Sequence, residues 1–554
     1  MRTIIDRAIR KIRESPLLDS ELASNFRMRL SPSASKGLLA RFDRSIYMRH
    51  QVKRFKSKEV LPQEFVEAVF KIYYGDLDPN SIVPTGEVKS AVSFVPYRRG
   101  LTNVLIYNFF KANYGIRDPV LFRLSIVSEG EVYWTHQFLL KGDEIRKISD
   151  PCSEGHEEGL PEYGAAVIEA FHPRIKTLAS QFRFFGFYEN RTAGTLAGVH
   201  SANIPMRKVT RLQPASHRSF SAAAEVETDY NSLLHSALPM DSVSSTDHGK
   251  LSKMRIGCDA PSMETQLLSG IKSCQTSFGY ITIHPPGQRD RLGAIWHEGP
   301  NSHVVREAEP KRKICACVQA FFVPDFSANA PLVLATKDQI GFRPDRLTFK
   351  VETEQGDVVA ERTVDFDDDE DEKCLDLAQV FQNDGIAGPV NVIVDFHEDA
   401  GSFTSYPACY LHILYRSEDG YSDQCHTHRT SGYWNDPFRS ERSYRCRKFA
   451  PLLKSEVLSF IYSIINVGGN GPNKDDSVRV RVITDQGSEV VLGFPVATDG
   501  VTNLRGDDIL DRLDSRIDKF AIVQFEHETT NYNGNWLAIN KKTKHIAVDH
   551  FTGG

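Results

Sequence analysis

The chain has 554 residues, 40% of them hydrophobic and 25% charged, with a formal net charge of −5 at pH 7. That length is too great for one hydrophobic core, so we expect roughly three to five domains of a soluble globular protein. No apolar run of about 18 residues and no signal-peptide core are found, and nine cysteines occur without a C-x-x-C spacing. We therefore expect a cytoplasmic location with reduced thiols.

The N-terminal segment 1–86 is basic and is predicted to be mostly helical. Residues 1–60 carry 15 Lys/Arg against 6 Asp/Glu, and residues 1–13 place an isoleucine stripe opposite arginines. Such a helix docks on its own protein or lies on an anionic membrane surface. Nucleic acid is the least favoured partner, because the basic run at residues 49–58 has no recognition motif.

From residue 87 onward the sequence changes to short apolar or alternating runs separated by Gly, Pro, Asn and Asp. "VLFRLSIV" and "EVYWTHQFLL" are examples, and seven such runs fall within residues 87–200. Turns at this spacing are typical of immunoglobulin-like or jelly-roll-like β-sandwiches.

A set of anchors recurs three times with nearly constant spacing. The anchors are Phe94-Val95-Pro96 with Gly130, Phe322-Val323-Pro324 with Gly356, and Phe449-Ala450-Pro451 with Gly487. Proline and glycine are 34, 32 and 36 residues apart, and a histidine follows the glycine after 42, 41 and 40 residues. Constant spacing over three copies indicates an internal repeat, and the glycines suit hairpin turns.

The predicted fold class is therefore mainly β, with three related antiparallel β-sandwich repeats after the helical segment. The predicted boundaries are 1–86 for the helical segment, 87–200 for repeat 1, 201–275 for a Ser/Ala-rich linker or insertion, 276–430 for repeat 2 with an extra hairpin, and 431–554 for repeat 3. The extra hairpin, "YITIHPPGQRDRLGAIWH", is interpreted as a fourth copy of the closing hairpin alone, or as a hairpin borrowed by a neighbouring repeat.

Histidine is the residue type that recurs at strand ends. The rim histidines are His172, His397 and His527, which follow an apolar run, and His200 and His550, which end a closing strand. If the two strand ends are neighbours, each repeat brings a pair of imidazoles to one rim. The favoured interpretation is that these rings donate hydrogen bonds to loop carbonyls, and the alternative is a metal site.

The densest histidine group lies between repeats 2 and 3. Its members are His297, His303, His426 and His428. Two histidines in H-x-H spacing on a strand face the same side, as metal ligands require. This group supports a second hypothesis, a metal-dependent enzyme holding a divalent transition metal.

Large aromatic residues near the closing hairpins suggest a carbohydrate-binding surface. They are Trp296, Tyr433, Trp434 and Trp536. Exposed rings of this kind stack on sugars, whereas buried ones fill the core of a sandwich.

The sequence contains no G-x-S-x-G, H-E-x-x-H or kinase motif, so no catalytic residue is assigned. The favoured function is a non-catalytic binding or structural protein, with a glycan or a protein assembly as partner and oligomerisation as an option. No cofactor is expected apart from the metal of the second hypothesis. A third hypothesis is a peripheral membrane protein of envelope or polysaccharide biosynthesis, attached through residues 1–13.

Overall fold

The computed structural model covers most of the chain after residue 89. It describes residues 90–108, 110, 119–128, 131–154, 159–161, 163–171, 184–190, 195–203, 219–220, 231–236, 240–245, 251–256, 264–269, 274–275, 279–284, 293–297, 317–336, 346–365, 372–397, 411–417, 420–426, 446–466, 477–497, 500–527 and 533–553. Between residues 202 and 297 only the backbone is described. The predicted basic helix and its membrane-binding face lie outside the described residues. Among the helices that are described, none has the length and apolarity needed to cross a bilayer.

The described part of the chain is mainly β, with several antiparallel sheets and three short α-helices. The strands are β1 (Ser90–Arg98), β2 (Thr102–Tyr107), β3 (Val120–Ser128), β4 (Glu131–Leu140), β5 (Ile145–Ile148), β6 (Tyr163–Phe171), β7 (Phe185–Asn190), β8 (Thr195–His200), β9 (Ala202–Asn203), β10 (Ser219–Phe220), β11 (Asn231–Ser236), β12 (Met240–Ser245), β13 (Leu251–Ile256), β14 (Glu264–Ser269), β15 (Cys274–Gln275), β16 (Gly279–His284), β17 (Gly293–His297), β18 (Cys317–Val323), β19 (Leu332–Thr336), β20 (Arg346–Thr353), β21 (Val358–Asp365), β22 (Glu372–Asp376), β23 (Val390–His397), β24 (Leu411–Ser417), β25 (Gly420–His426), β26 (Cys446–Leu453), β27 (Leu458–Asn466), β28 (Ser477–Thr484), β29 (Glu489–Pro495), β30 (Gly500–Arg505), β31 (Phe520–His527), β32 (Asn533–Asn540), β33 (Ile546–His550) and β34 (Thr552–Gly553). The helices are α1 (Phe326–Asn329), α2 (Leu377–Val380) and α3 (Gly506–Leu513), and 3-10 turns occupy Pro151–Glu154 and Asp514–Arg516.

The same strand order occurs in three pairs of sheets. The first pair has orders β4-β3-β6-β1-β9 and β5-β2-β7-β8, and the middle pair has β18-β23-β20-β21 and β22-β19-β24-β25. The last pair has β29-β28-β31-β26-β34 and β30-β27-β32-β33. Counted from the first strand of each pair, strands 1, 3, 4 and 6 form one sheet and strands 2, 5, 7 and 8 form the other.

The segment predicted as a linker contains strands. Residues 202–275 include β9 to β15, and the hairpin predicted after them is formed by β16 and β17. Four of these strands form a sheet in the order β14-β11-β16-β17, while β10 pairs with β15 and β12 pairs with β13. This sheet repeats the order of strands 5, 2, 7 and 8 in the three sheet pairs. Serine and alanine obscure the strand alternation here, which is why the sequence suggests a linker.

Alternation along each strand builds the core between the two sheets of a pair. In β28, Val478, Val480 and Val482 are buried while Arg479 between them is exposed. Burying each valine contributes about 1.5–3 kcal/mol to folding. From the facing sheet the buried Tyr462 adds its ring to this core and donates a hydrogen bond to the Pro451 carbonyl at 2.8 Å. The sequence signal for these strands was strong because the period-two pattern was regular.

The hairpin turns predicted from the repeated glycines are present where the structure describes them. Gly356 between β20 and β21 has a φ of 91°, and Gly487 between β28 and β29 has a φ of 74°. Residues with side chains rarely adopt this backbone region, so glycine is needed at both turns. Gly130 lies outside the described residues.

The middle and last sheet pairs pack through outward-facing residues. Ala320 and Ile393 form a small apolar cluster with Ile465 and Val501. Arg505, at the end of β30, forms an ion pair and a cation–π contact at this junction. It donates to both carboxylate oxygens of Glu354 at 2.7 and 2.6 Å, and its guanidinium lies 5.6 Å from the centre of the Phe322 ring.

The last and first sheet pairs pack together through large aromatic residues. The Trp536 ring lies 5.7 Å from Phe187 and 6.3 Å from Phe185, and it covers Gly198 so closely that a Cβ at that glycine would overlap the indole. Phe449 of β26 adds a further aromatic contact, 5.6 Å from Tyr107 of β2. Residues of both pairs consequently belong to one core cluster.

The outer face of the first pair carries a buried ion pair. Arg123 of β3 and Glu169 of β6 are direct cross-strand neighbours, 2.5 Å apart and almost wholly buried. Burial raises the pKa of the Glu169 carboxyl to about 8, against the opposing effect of the Arg123 guanidinium. On this side β1 contacts β16, and β6 contacts β14. The ion pair therefore lies on the face that meets the β10–β17 segment.

Candidate functional site at the ends of the closing strands

Four strands of the described structure, here called the closing strands, occupy equivalent places in their sheets. They are β8, β17, β25 and β33, and each is the outermost strand of a four-stranded sheet and ends at a histidine. β8 contacts β17, β17 contacts β25, β25 contacts β33, and β33 returns to β8. β8 also contacts β25 across the group. The closing strands therefore surround a common axis.

The best-defined cluster on this axis joins the first and last sheet pairs. Asp549 Oδ2 accepts hydrogen bonds from the backbone N–H of His200 at 2.6 Å and lies 2.7 Å from His200 Nδ1. Asp549 Oδ1 accepts from the backbone N–H of His550 at 2.7 Å and lies 2.9 Å from His550 Nδ1. The Asp549 carboxylate thus contacts two histidines. His200 is 349 positions away in the chain, and His550 is adjacent.

The two imidazoles lie edge to face and are removed from solvent. Their ring centroids are 4.2 Å apart at an interplanar angle of 85°. The side chains of His200, Asp549 and His550 are only 1%, 6% and 5% exposed. A substrate cannot reach groups buried this far without a change in the strands around them.

Electrostatics favour the ionised form of the central carboxyl. Burial acts to raise the pKa of Asp549, but the charges of His200 and His550 and their hydrogen bonds outweigh it. Together they hold that pKa well below its usual range. A charged carboxylate accepts hydrogen bonds and cannot donate them, so it favours the orientation in which His200 Nδ1 carries the proton.

The junction of β25 with the last pair lies beside this cluster. Asn535 is the direct neighbour of His550 in the β32–β33 ladder. The Asn535 amide nitrogen lies 3.3 Å from the buried Cys425 thiol, next to His426 at the end of β25. The last two residues of β25 therefore end close to His550.

The arrangement offers groups that could hold a metal. The ligand atoms of His200, Asp549 and His550 lie within 4.8 Å of one another. Imidazole and carboxylate are ligands for zinc and other divalent transition metals. Without a metal, the same groups form a hydrogen-bonded tie between two sheet pairs.

The predicted metal group is partly within the described structure. His297 and His426 are the last residues of β17 and β25, and nothing is described of their side chains. His303 and His428 lie outside the described residues. β17 and β25 contact each other, and both contact β8. Metal binding by these four residues stays a prediction.

The rim histidines lie on both sheets of the sheet pairs, and their predicted pairing within a repeat stays a prediction. His397 and His527 end β23 and β31, which belong to the opposite sheet from the closing strands, and His172 lies outside the described residues. The pair that the described structure brings together is His200 with His550, from different sheet pairs.

The predicted sugar-stacking aromatics give one correction. Trp536 is completely buried against Gly198, Phe185 and Phe187, so neither face of its ring is available to a glycan. Trp296 is in β17, where only the backbone is described, and Tyr433 and Trp434 lie outside the described residues. Sequence could not separate a surface tryptophan from one inserted between sheets, because both stand in alternating strands.

Asp549 is the member of the cluster that sequence reasoning missed. It immediately precedes His550, and its counterparts before His200 and His426 are Val199 and Cys425. The sequence did contain a signal for Asp549, namely a carboxylate at a strand position where two other closing strands have valine and cysteine.

Comparison with known proteins identifies no family. No protein-family model and no curated protein sequence matches the chain. Among solved structures, a tetra-tandem repeat in the extending region of a large adhesion protein aligns over 78% of this chain and 91% of its own, with 9% identity and a TM-score of 0.09. A TM-score this low indicates no shared fold, and no argument is based on it.

Proposed function

We propose that the protein is a non-catalytic structural or binding scaffold in which related β-sandwich modules form a closed ring. The observation that carries this proposal is the contact of β8, β17, β25 and β33 with one another around one axis. Each closing strand is an edge strand, and an exposed edge pairs readily with other chains. Bringing the four edges together protects them and gives a compact scaffold.

We assign a module to each sheet pair and a further one to β10–β17. The first, middle and last pairs correspond to the predicted repeats at 87–200, within 276–430, and at 431–554. The β10–β17 segment has the sheet order of the second sheet in each pair. This assignment replaces the linker at 201–275 with part of a module and gives the hairpin at 279–297 a sheet of its own.

A non-catalytic role is favoured over the metal-dependent enzyme by burial. The His200–Asp549–His550 cluster is almost inaccessible to solvent. A catalytic metal needs an open coordination position that substrate can reach. This argument concerns that cluster alone. The enzyme hypothesis for His297, His303, His426 and His428 is tested by an activity search.

For the partner, a protein assembly is better supported than a glycan. The outer edge strands of three sheets, β4, β21 and β29, carry exposed apolar residues: Tyr133, Val358, Val359 and Val491. Exposed apolar side chains on an unpaired edge favour pairing with another polypeptide. The buried Trp536 removes one of the four aromatics that suggested sugar binding.

The ring is tested by separating its first and last modules. Gly198→Val places a side chain where the Trp536 indole lies, and overpacking of this kind costs about 1–3 kcal/mol. We expect a larger radius of gyration by small-angle X-ray scattering and a lower unfolding temperature. Gly493→Val is the matched control, because a Cβ at Gly493 meets nothing within 4 Å. An unchanged radius of gyration in a destabilised Gly198→Val protein would refute the closed ring.

The choice of partner is tested by sedimentation velocity of the full chain over a concentration series. We expect self-association that is lost in Val358→Lys/Val359→Lys with an unchanged unfolding temperature. A glycan array with the same two proteins covers the alternative. Binding to a glycan that both proteins share equally, with no self-association, would count against a protein partner on these edges.

A further inference from the structure

The two imidazoles on the axis are held in a way that goes beyond tying strands together. Asp549 contacts the Nδ1 atom of both rings, at 2.7 Å for His200 and 2.9 Å for His550. A neutral imidazole that donates its Nδ1–H to a carboxylate has its lone pair on Nε2. For His200, the Asp549 carboxylate therefore favours the tautomer that presents Nε2.

This is the arrangement that orients histidine ligands around a metal. Histidines that bind metals usually donate their other ring N–H to a carboxylate or a carbonyl, which fixes the ring and raises its basicity. Here the buried Asp549 carboxylate is within hydrogen-bond distance of His200 Nδ1, and the centroid of the His550 ring lies 4.2 Å from that of His200. If Asp549 served only to join the two strands, the hydrogen bonds that it accepts from the two backbone N–H groups would be sufficient.

The other two closing strands lie next to this pair. The contact of Cys425 with Asn535, the ladder neighbour of His550, brings the end of β25 close to the cluster. β17 contacts both β8 and β25. The cluster therefore lies among the closing strands and not at the outer surface of a single sheet pair.

We propose that the ends of β8 and β33 form a site for a divalent transition metal, with His200 and His550 as ligands and the Asp549 carboxylate beside them. Zinc suits the site because imidazole and carboxylate are among its usual ligands. The inference stands on the described contacts between the first and last sheet pairs and goes beyond the proposed scaffold.

A metal here would fasten the ring at its closure. The ligands His200 and His550 come from the first and last sheet pairs, far apart in the chain. Binding energy at a site absent from the unfolded chain appears as folding stability. We therefore expect metal removal to lower the unfolding temperature without removing the β structure of the individual sheets.

The experiment uses the full chain without a histidine tag. The protein is stripped with a chelator and titrated with Zn²⁺ in competition with a chromogenic chelator, and separately with Co²⁺ followed by its visible spectrum. We expect one metal per chain, a Co²⁺ spectrum with nitrogen ligands, and a higher unfolding temperature on adding Zn²⁺. Failure of wild-type protein to bind either metal stoichiometrically would overturn the proposal and leave a hydrogen-bonded tie.

Variants assign the roles of the residues. His200→Ala and His550→Ala should lose stoichiometric binding, and Asp549→Asn should weaken it about 10- to 100-fold because an orienting carboxylate is lost. His136→Ala is the matched control, since His136 stacks between Trp134 and Phe138 on β4, away from the closing strands. Binding that survives both His200→Ala and His550→Ala unchanged would place the metal elsewhere and refute the site.

The scattering experiment on Gly198→Val reports on the ring without metal, so a failed ring and a failed metal site give different results.

Discussion

Two junctions of the last sheet pair show different ways of holding similar sheets together. Towards the first pair, Trp536 covers a glycine and Asp549 bonds two imidazoles, all buried. Towards the middle pair, buried apolar residues of the last pair such as Leu537 join the core cluster of the middle pair, and the Arg505–Glu354 ion pair, whose side chains are 36% and 21% exposed, lies beside them. The first junction depends on close fit and buried polar groups, whereas the second depends on apolar contact with a solvated rim.

The repeated phenylalanine of the sequence anchors takes part in both junctions. Phe322 receives the Arg505 guanidinium from the last pair, and Phe449 contacts Tyr107 of the first pair. These residues point out of their own sheet pair and into the next one. The repeat therefore encodes how neighbours pack as well as how each pair folds.

The largest effect should come from Trp536→Ala, which removes the buried ring at the junction with the first pair. We expect the free energy of unfolding to fall by about 3–5 kcal/mol, as for other buried tryptophans. Leu537→Ala, which truncates a buried residue on the opposite face next to the middle pair, is the comparison. Urea unfolding of both variants measures the difference. An equal or greater loss for Leu537→Ala would remove the contrast between the junctions.

A smaller effect is expected when the buried carboxylate becomes an amide. Asp549→Asn in metal-free protein turns one acceptor oxygen into a donor that faces imidazole or backbone N–H groups. We expect a loss of about 1–3 kcal/mol from the unsatisfied donors. Cys425→Ala at the corresponding place in β25 removes only a weak thiol contact to Asn535 and should cost less. Chemical denaturation in the presence of chelator tests the order of the two variants.

The sequence predicts those features of the fold that depend on residues close to one another in the chain. The valines of β28 and the glycines at Gly356 and Gly487 act within one hairpin, so alternation and turn chemistry located the strands. The strands of β10–β15 were missed because their composition lacks the regular apolar alternation on which the prediction depended.

The sequence predicted the histidines of the candidate site but not their carboxylate neighbour. His200 and His550 drew attention because they recur at strand ends, yet the expected pairing was within each repeat. Their actual neighbour, Asp549, joins residues 349 positions apart, and this contact exists only after the first and last sheet pairs have come together. No local sequence pattern indicates which sheet pairs will contact each other. The burial of Trp536 was hidden for the same reason, since its cover, Gly198, belongs to another sheet pair.

A third junction, on the outer face of the first pair, should reveal itself through pH. Glu169 has a pKa raised by burial from 4.5 to about 8, so the folded protein binds this proton more tightly than the unfolded chain does. Its contribution to stability is complete at low pH and is lost as the pH rises from about 4.5 through about 8. We expect this slope to disappear in Glu169→Gln, measured by urea unfolding across that range. The absolute stability is not the readout, because the variant also alters the buried hydrogen bond from Arg123.

A persistent slope in Glu169→Gln would assign the pH dependence to another group and show that the Arg123–Glu169 pair is ionised throughout. In that case both this junction and the one at Glu354 would contain charged side-chain pairs. Asp549 alone would then distinguish buried from exposed polar groups among the junctions compared.

The smallest effect is expected at the solvated rim itself. Arg505→Ala removes the two hydrogen bonds to Glu354 and the packing on Phe322, but both charged side chains are partly exposed and screened by solvent. We expect a coupling energy of about 0.2–1 kcal/mol in a double-mutant cycle with Glu354→Ala, shrinking as salt is raised. A salt-insensitive coupling well above this range would mean that the rim is desolvated in solution, and that both junctions rely on buried polar contacts.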